Sequence, residues 1–181
     1  MRRDALERRE ALIGAAIACF TERGFAVPLE EIADRAGVGR GTLYRNFKDR
    51  MALTLAIFAR EIDRMAERLD PDLSVAAAIS AAVRGGREAA ALFGRLATEI
   101  SLSDEDMAAF RALGDRLEGM LEPIVARARA RGEVRADLTA KDVAIAIRMA
   151  SGLMMRRLPK AELDTQLDQA LELLMRGYRA A

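Results

Sequence analysis

The sequence contains no histidine, no tryptophan, one cysteine and four prolines, and only 4% of it is aromatic. Each shortage removes a class of function. Without histidine there is no imidazole general base, no Ser-His or Cys-His nucleophile pair, and none of the commonest metal ligand. With a single cysteine as well, a structural zinc site is practically excluded. Catalysis would have to rest on carboxylates such as Glu99 and Asp106, or on Lys or Tyr, so the composition argues against an enzyme and calls for no cofactor. Cys19 has no partner for an internal disulfide, which points to a reducing cytoplasmic setting and to a small core residue rather than a redox group. No run of about 18 apolar residues occurs, so no segment is expected to span a membrane. The opening MRRDALERREAL is charged and periodic, with no signal-peptide stretch.

What is abundant is alanine, at 36 of 181 positions, and alanine is the strongest helix former. Basic and acidic residues balance at 29 against 28, and 26 of the basic residues are arginine. Because acids match them almost one for one, the arginines read first as a compositional bias. A net charge of +1 neither supports nor excludes a nucleic-acid partner, so the distribution of charge has to decide.

Hydrophobic periodicity is helical throughout, and nothing alternates with period two. A first helix is expected over roughly 5–23, capped by Asp4 with Glu7 at capping-box spacing. It carries Leu6, Ile13, Ile17 and Phe20 on one face, widened by Leu12 and Ala16, and ends at Gly24. Pro28 suits the first position of a short helix ending at Gly37, and a third short helix starts near Arg40. Lys48-Asp49 opens a long helix with Leu55, Phe58, Ile62, Met65 and Leu69 on one face. Beyond Pro71, Ser74 caps a segment that breaks at Gly85-Gly86, and Leu92, Phe93, Leu96 and Ile100 define the next. Ser103 with Asp106 opens a long helix that Pro123 is expected to kink. Thr139 with Asp142 caps another, and Leu163, Leu167, Leu171, Leu174 and Tyr178 line the last. The fold class that follows is all-α, about nine helices.

Residues 28–47, PLEEIADRAGVGRGTLYRNF, hold the informative pattern. Two short helices around a Gly-containing turn make a helix-turn-helix, whose second helix enters the DNA major groove. Ala33 and Gly37 are small where the helices must cross, and Ile32, Val38 and Leu43 can pack the unit. Leu43 and Phe47 are expected in the core, which leaves Arg40, Thr42, Tyr44, Arg45 and Asn46 able to face outward. Within residues 37–50, four basic groups (Arg40, Arg45, Lys48, Arg50) meet one acid, Asp49, whereas residues 51–181 hold 19 basic and 20 acidic groups. Positive charge is concentrated where phosphates would lie.

The run AALIGAAIACFTERGF followed by EEIADRAGVGRGTLYRNFKDRMAL resembles the TetR family of bacterial transcriptional regulators. The AGV-x-x-GTLY-x-x-F core carries that resemblance, and beyond residue 60 only the architecture is similar. The resemblance implies a helix-turn-helix DNA-binding domain over 1–50 and a helical-bundle ligand-binding and dimerisation domain over 51–181. It further implies a homodimer on a palindromic double-stranded operator, released when a small molecule occupies the C-terminal domain. Position by position, Arg40 and Gly41 match base-contacting sites, and Thr42, Tyr44, Arg45 and Asn46 lie on the groove-facing helix. Lys48 and Arg50 match phosphate-binding sites. Three departures lower the expected phosphate affinity: Asn46 stands where many members have histidine, no threonine precedes the second helix, and Gly39 replaces a hydroxyl cap. Arg2, Arg3 and Arg8 are the groups available to compensate.

In the C-terminal part, Met65, Met107, Met120, Met149, Met154 and Met155 suit either core filling or an adaptable apolar pocket. The candidate ligand-contacting residues are Ile62, Met65, Phe93, Leu96, Glu99, Met107, Phe110 and Met120. Their mostly apolar character points to an uncharged or weakly polar, lipophilic effector. Arg95 and Glu99, spaced i and i+4, read either as a surface ion pair or as ligand-orienting groups. Small residues Ala144, Ala146, Ala150, Ser151 and Gly152 permit close helix approach. Dimerisation is therefore expected through helices near 139–156 and 163–179. The alternative function is a DNA-binding dimer that takes no small molecule and acts through a protein partner.

Overall fold

Helix ends in this chain are set by local chemistry. A computed structural model describes residues 2–99, 101–155 and 159–179, with the side chains of Arg2, Ala97, Thr98, Met154, Met155 and Lys160 left out. Ile100 and the Met154 and Met155 side chains therefore lie outside the described residues. Among the described residues there are nine α-helices and no strand: α1 (Arg2–Arg23), α2 (Leu29–Arg35), α3 (Arg40–Asn46), α4 (Arg50–Arg68), α5 (Val75–Gly85), α6 (Arg87–Glu99), α7 (Asp104–Ala130), α8 (Ala140–Ser151) and α9 (Lys160–Tyr178). A short 3-10 turn, Gly152–Met155, extends α8. None of these helices is long and apolar enough to cross a membrane.

The expected caps form at most helix starts. Asp49 accepts the Ala52 N–H at 2.7 Å, and Ser74 accepts that of Ala77 at 3.2 Å. Ser103 with Asp106 and Thr139 with Asp142 each form a complete capping box. These satisfy backbone donors that have no partner inside the helix, each worth about 0.5–2 kcal/mol. Two starts differ from expectation. α1 begins at Arg2, so Asp4 lies in its first turn, and Glu7 pairs with Arg3 at 3.1 Å instead of closing a capping box. Pro28 is the N-cap residue of α2 rather than its first helical position. Pro123 lies within α7, which continues from Asp104 to Ala130 without interruption.

Two apolar cores organise the chain. The first gathers Leu12, Ile13, Ala16, Phe20, Phe25, Ile32, Leu43, Phe47, Leu53 and Ile57, and α6 contributes Leu92 and Leu96 to it. Leu6, by contrast, is 64% exposed, because the first turns of α1 extend past this core. The second core joins α5, α7, α8 and α9 through Ile79, Val83, Leu121, Ile124, Val143, Ile147, Leu163 and Leu167. Leu171, Leu174 and Tyr178 are half-buried against it, and the Tyr178 hydroxyl donates to the Asp142 carbonyl. The long α4 carries the connection: Leu53 and Ile57 belong to the first core, and Met65 and Leu69 pack on the second. Asp63 of α4 pairs with Arg116 of α7.

Candidate DNA interface and effector cavity

The groove-facing helix is held from behind and left bare in front. Leu43 is fully buried and Phe47 nearly so, which fixes α3 against α1 and α2. Gly37 has φ +68°, a left-handed conformation that lets the chain reverse between α2 and α3 without the penalty a side chain would incur. Gly39 caps α3 with no side-chain hydrogen bond, and α2 likewise lacks a side-chain cap, as the absent hydroxyl residues implied.

On the outer face, Arg40 is exposed, with no hydrogen bond or ion pair among the described residues. Gly41 beside it faces open space. Tyr44 is 48% exposed, and its hydroxyl donates to Glu30 Oε1 of α2 at 3.0 Å, which raises the Tyr44 pKa. The Glu30 carboxyl is held below its ordinary range, first by its own backbone N–H at the start of α2 and then by the Tyr44 hydroxyl. Arg45 donates to Thr42 Oγ1 at 3.2 Å, and Asn46 Nδ2 to the Thr42 carbonyl at 2.8 Å. Thr42 and Asn46 are half-buried, so much of their polarity is spent within the helix.

The two cations at the foot of α4 differ. Lys48 is largely exposed, 3.6 Å from Glu105 in the first turn of α7 and 4.0 Å from Asp49. Arg50 instead turns toward the protein: Nη1 donates to the Val27 carbonyl at 2.6 Å and its guanidinium lies 6.0 Å from the Phe20 ring. Burial lowers its pKa. It braces the segment before α2. Arg3 is paired with Glu7, Arg8 is exposed, and the Arg2 side chain lies outside the described residues.

Arg95 and Glu99 have a use that their spacing did not reveal. Arg95 Nη1 donates to the carbonyls of Phe20 and Thr21, both at 2.9 Å, and its Nε to Glu99 Oε1 at 2.8 Å. Glu99 Oε2 accepts the Phe25 N–H, also at 2.8 Å. The pair thus clasps the end of α1 and the following turn from α6. It is a partly exposed i, i+4 ion pair that also reaches backbone atoms more than 70 residues away, and it does not line the apolar cavity. The hydrogen bond from Phe25, and next the Arg95 guanidinium, hold the Glu99 carboxyl below its ordinary 4.5. A lowered native pKa gives stability above the ordinary range that is lost as pH falls through the native value. The stability advantage of the parent over Glu99→Gln should accordingly be present at neutral pH and fade below the ordinary 4.5, measured by urea unfolding across pH. An advantage that did not change with acidification would remove the charged clasp.

The other proposed carboxylate, Asp106, is occupied by its capping box. Cys19 is buried in the first core. Among the described residues, no group of three or more Cys, Asp or Glu side chains could hold a metal ion.

Between α4, α5, α6 and α8 lies an apolar cavity of about 250 Å³, lined by Phe58, Met65, Ala82, Ala90, Phe93 and Ile147 and also by Arg148 and Ser151. Of the residues singled out from sequence, Met65 and Phe93 line it. Leu96 does not, because it is fully buried in the first core, and Glu99 is engaged at α1. Ile62 and Met120 are half-buried outside the cavity wall. Met107 and Phe110 line a separate groove against α8. Phe58, Phe93 and Phe110 meet edge to face, with centroids 5.6–6.0 Å apart. Periodicity missed Phe58 and the α8 residues as wall components, since it cannot tell which helices face each other.

Residues 12–57 match the family model of bacterial regulatory proteins, tetR family. The whole fold is shared with a TetR transcriptional regulator of Streptomyces coelicolor, 28% identical, with a TM-score of 0.60 over 96% of this chain and 99% of that one. Residues 12–57 thus form a TetR-family head, carried on a fold like that of TetR-family regulators. Among curated relatives, the helix-turn-helix transcriptional activator FasR of Mycolicibacterium smegmatis is 43% identical over 60 residues. That match covers 33% of this chain and 27% of FasR, so the likeness is confined to the head and spans about a quarter of the relative's length. The transcriptional regulator FadR of Bacillus subtilis, solved in complex with stearoyl-CoA, is 19% identical over 93% of this chain and 98% of its own, with a TM-score of 0.71, and shares the fold.

Proposed function

We propose that this chain is a ligand-responsive TetR-family repressor that binds a palindromic operator as a homodimer. The observation that carries the DNA-binding reading is the bare Arg40-Gly41 corner of α3, standing on a helix whose inner face is locked by Leu43. An exposed, unpaired guanidinium beside a glycine can approach a base edge closely, and Arg pairs bidentately with guanine. Tyr44 is pre-oriented by Glu30, and Lys48 is exposed for phosphate contact.

An unpartnered apolar face supports the dimer. Ala144, Ala146 and Ala150 are buried within the chain's own second core, so they are not the contact. Ile145 and Met149 on α8 and Leu173 on α9 are exposed, at 40%, 67% and 67%. A two-fold copy covering this face would present two α3 helices about one DNA turn apart, about 34–36 Å.

An effector in the cavity would act through α4 and α6, each of which contributes both to the cavity and to the first core. FadR's complex with stearoyl-CoA is consistent with an effector site in this fold.

Selection from a random DNA pool, followed by fluorescence anisotropy on the enriched site, tests the reading. Arg40→Ala should cost about 1–3 kcal/mol and relax preference at one operator position. Lys48→Ala should weaken all sequences alike and flatten the salt slope by about 0.9. Parent-like binding by both variants, or no enrichment of a palindrome, would reject the interface. An operator affinity indifferent to every small molecule, with a protein partner recovered, would favour the ligand-free alternative.

A further inference from the structure

The cavity shares a cation with a second compartment. Arg148 lines it and also lines a neighbouring groove of about 420 Å³ that holds Arg111, Lys141, Asp115 and Glu118 beside Met107 and Phe110. The aromatic cluster spans both spaces, with Phe58 and Phe93 on the first and Phe110 on the second. The first space is therefore mainly hydrocarbon and aromatic, and the second is charged, with three cations against two carboxylates.

The Arg148 guanidinium is lightly committed. It is half-exposed, and its ion pair with Glu118 is loose at 3.8 Å. Gly114 of α7 lies beside it, and a Cβ there would make only ordinary contact with Nη1 at 3.4 Å. A planar group with five donors that lines an apolar space and is half-exposed to solvent suits a carboxylate whose body lies inside.

We propose that the effector is an amphipathic carboxylate. Its apolar body occupies the space between α4, α5, α6 and α8, and its carboxylate pairs with Arg148 in competition with Glu118. Lys141 and Arg111 add positive field on the groove side. This inference rests on the cavity being the effector site, and it replaces the uncharged or weakly polar ligand expected from the apolar residues alone. A cavity of about 250 Å³ lies at the small end of ligand sites, typically about 300–1,000 Å³, so the body is a medium-length chain or one ring system.

Isothermal titration calorimetry of the full chain with decanoate, decanol and decylamine separates charge from apolar burial at constant chain length. Decanoate should bind best. Arg148→Gln should weaken it on the order of tenfold while leaving decanol unchanged, and Glu118→Gln should strengthen decanoate by freeing the guanidinium. Arg148 is half-exposed and Glu118 partly so, and the two variants shift affinity in opposite directions, which a folding defect would not do. Decanol binding as tightly as decanoate, or decanoate binding unaffected by Arg148→Gln, overturns the carboxylate and leaves the cavity as an effector site. No binding of any of the three amphiphiles overturns both.

Discussion

Phe20→Ala is expected to lower the unfolding free energy by about 3–5 kcal/mol, the range for truncating a fully buried phenylalanine. Phe20 has no exposed surface and stacks on Phe25 with centroids 4.6 Å apart. Its ring is also the surface over which Arg50 lies before reaching the Val27 carbonyl. Its own carbonyl accepts both the Gly24 N–H and the Arg95 guanidinium. Removing the ring leaves a cavity where α1, the turn before α2 and the start of α4 converge, and rigid neighbours cannot collapse into it fully. A typical domain has about 5–15 kcal/mol of net stability, so this loss would populate the unfolded state and weaken DNA binding together with folding. Urea unfolding followed by far-UV circular dichroism measures it. Leu6→Ala is the internal control: Leu6 is 64% exposed, so its change should stay within about 0.5 kcal/mol. Similar losses for both variants would mean that the first core is not centred on Phe20.

The contrast between these residues shows where sequence reading reaches its limit. Phe20 and Leu6 both fit the apolar periodicity of α1, but periodicity describes a face and not how far the core beneath it extends. Capping boxes were legible because their chemistry is contained in four consecutive residues, as at Ser103 and Asp106 or Thr139 and Asp142. Where a similar spacing failed, at Asp4 and Glu7, a helical Arg3–Glu7 pair competes with the cap and the helix starts earlier. Gly24 and Gly37 were legible as helix stops, and both have positive φ. The α8 alanines were misread because small residues permit close packing without saying against which helix. α5 and α7 of the same chain take that role, leaving Ile145 and Met149 uncovered.

The Arg95–Glu99 clasp was hidden for a related reason. An i, i+4 acid-base pair is among the commonest patterns on a helix surface, and its partners here are backbone groups with no side-chain signature. Its position gives α6 three roles. Ala90 and Phe93 face the cavity, Leu92 and Leu96 enter the first core, and the last turn grips the end of α1. A displacement of α6 at the cavity would reach the DNA-reading head through rigid packing and a hydrogen-bonded hook. Both are the kind of connection that carries coupling between sites.

Gly24→Ala tests that hook by crowding it. Gly24 has φ +86°, and a Cβ there would lie 2.6 Å from Arg95 Nη2 and 2.8 Å from Glu99 Oε2. The substitution therefore combines a left-handed backbone penalty of about 1–2 kcal/mol with displacement of both clasp side chains, whose charged hydrogen bonds are each worth about 1.5–3 kcal/mol when intact. Partial exposure of the clasp reduces the second contribution, so a total of about 2–4 kcal/mol is expected. Gly37→Ala separates the two parts. Its φ is +68° with nothing within 4 Å of a Cβ, so only the backbone penalty applies. The difference between the two variants in urea unfolding measures the clasp. It should vanish when both substitutions are made in an Arg95→Ala, Glu99→Ala background. If Gly24→Ala costs no more than Gly37→Ala in the parent chain, α6 does not hold the end of α1, and coupling to the head would have to run through α4 alone.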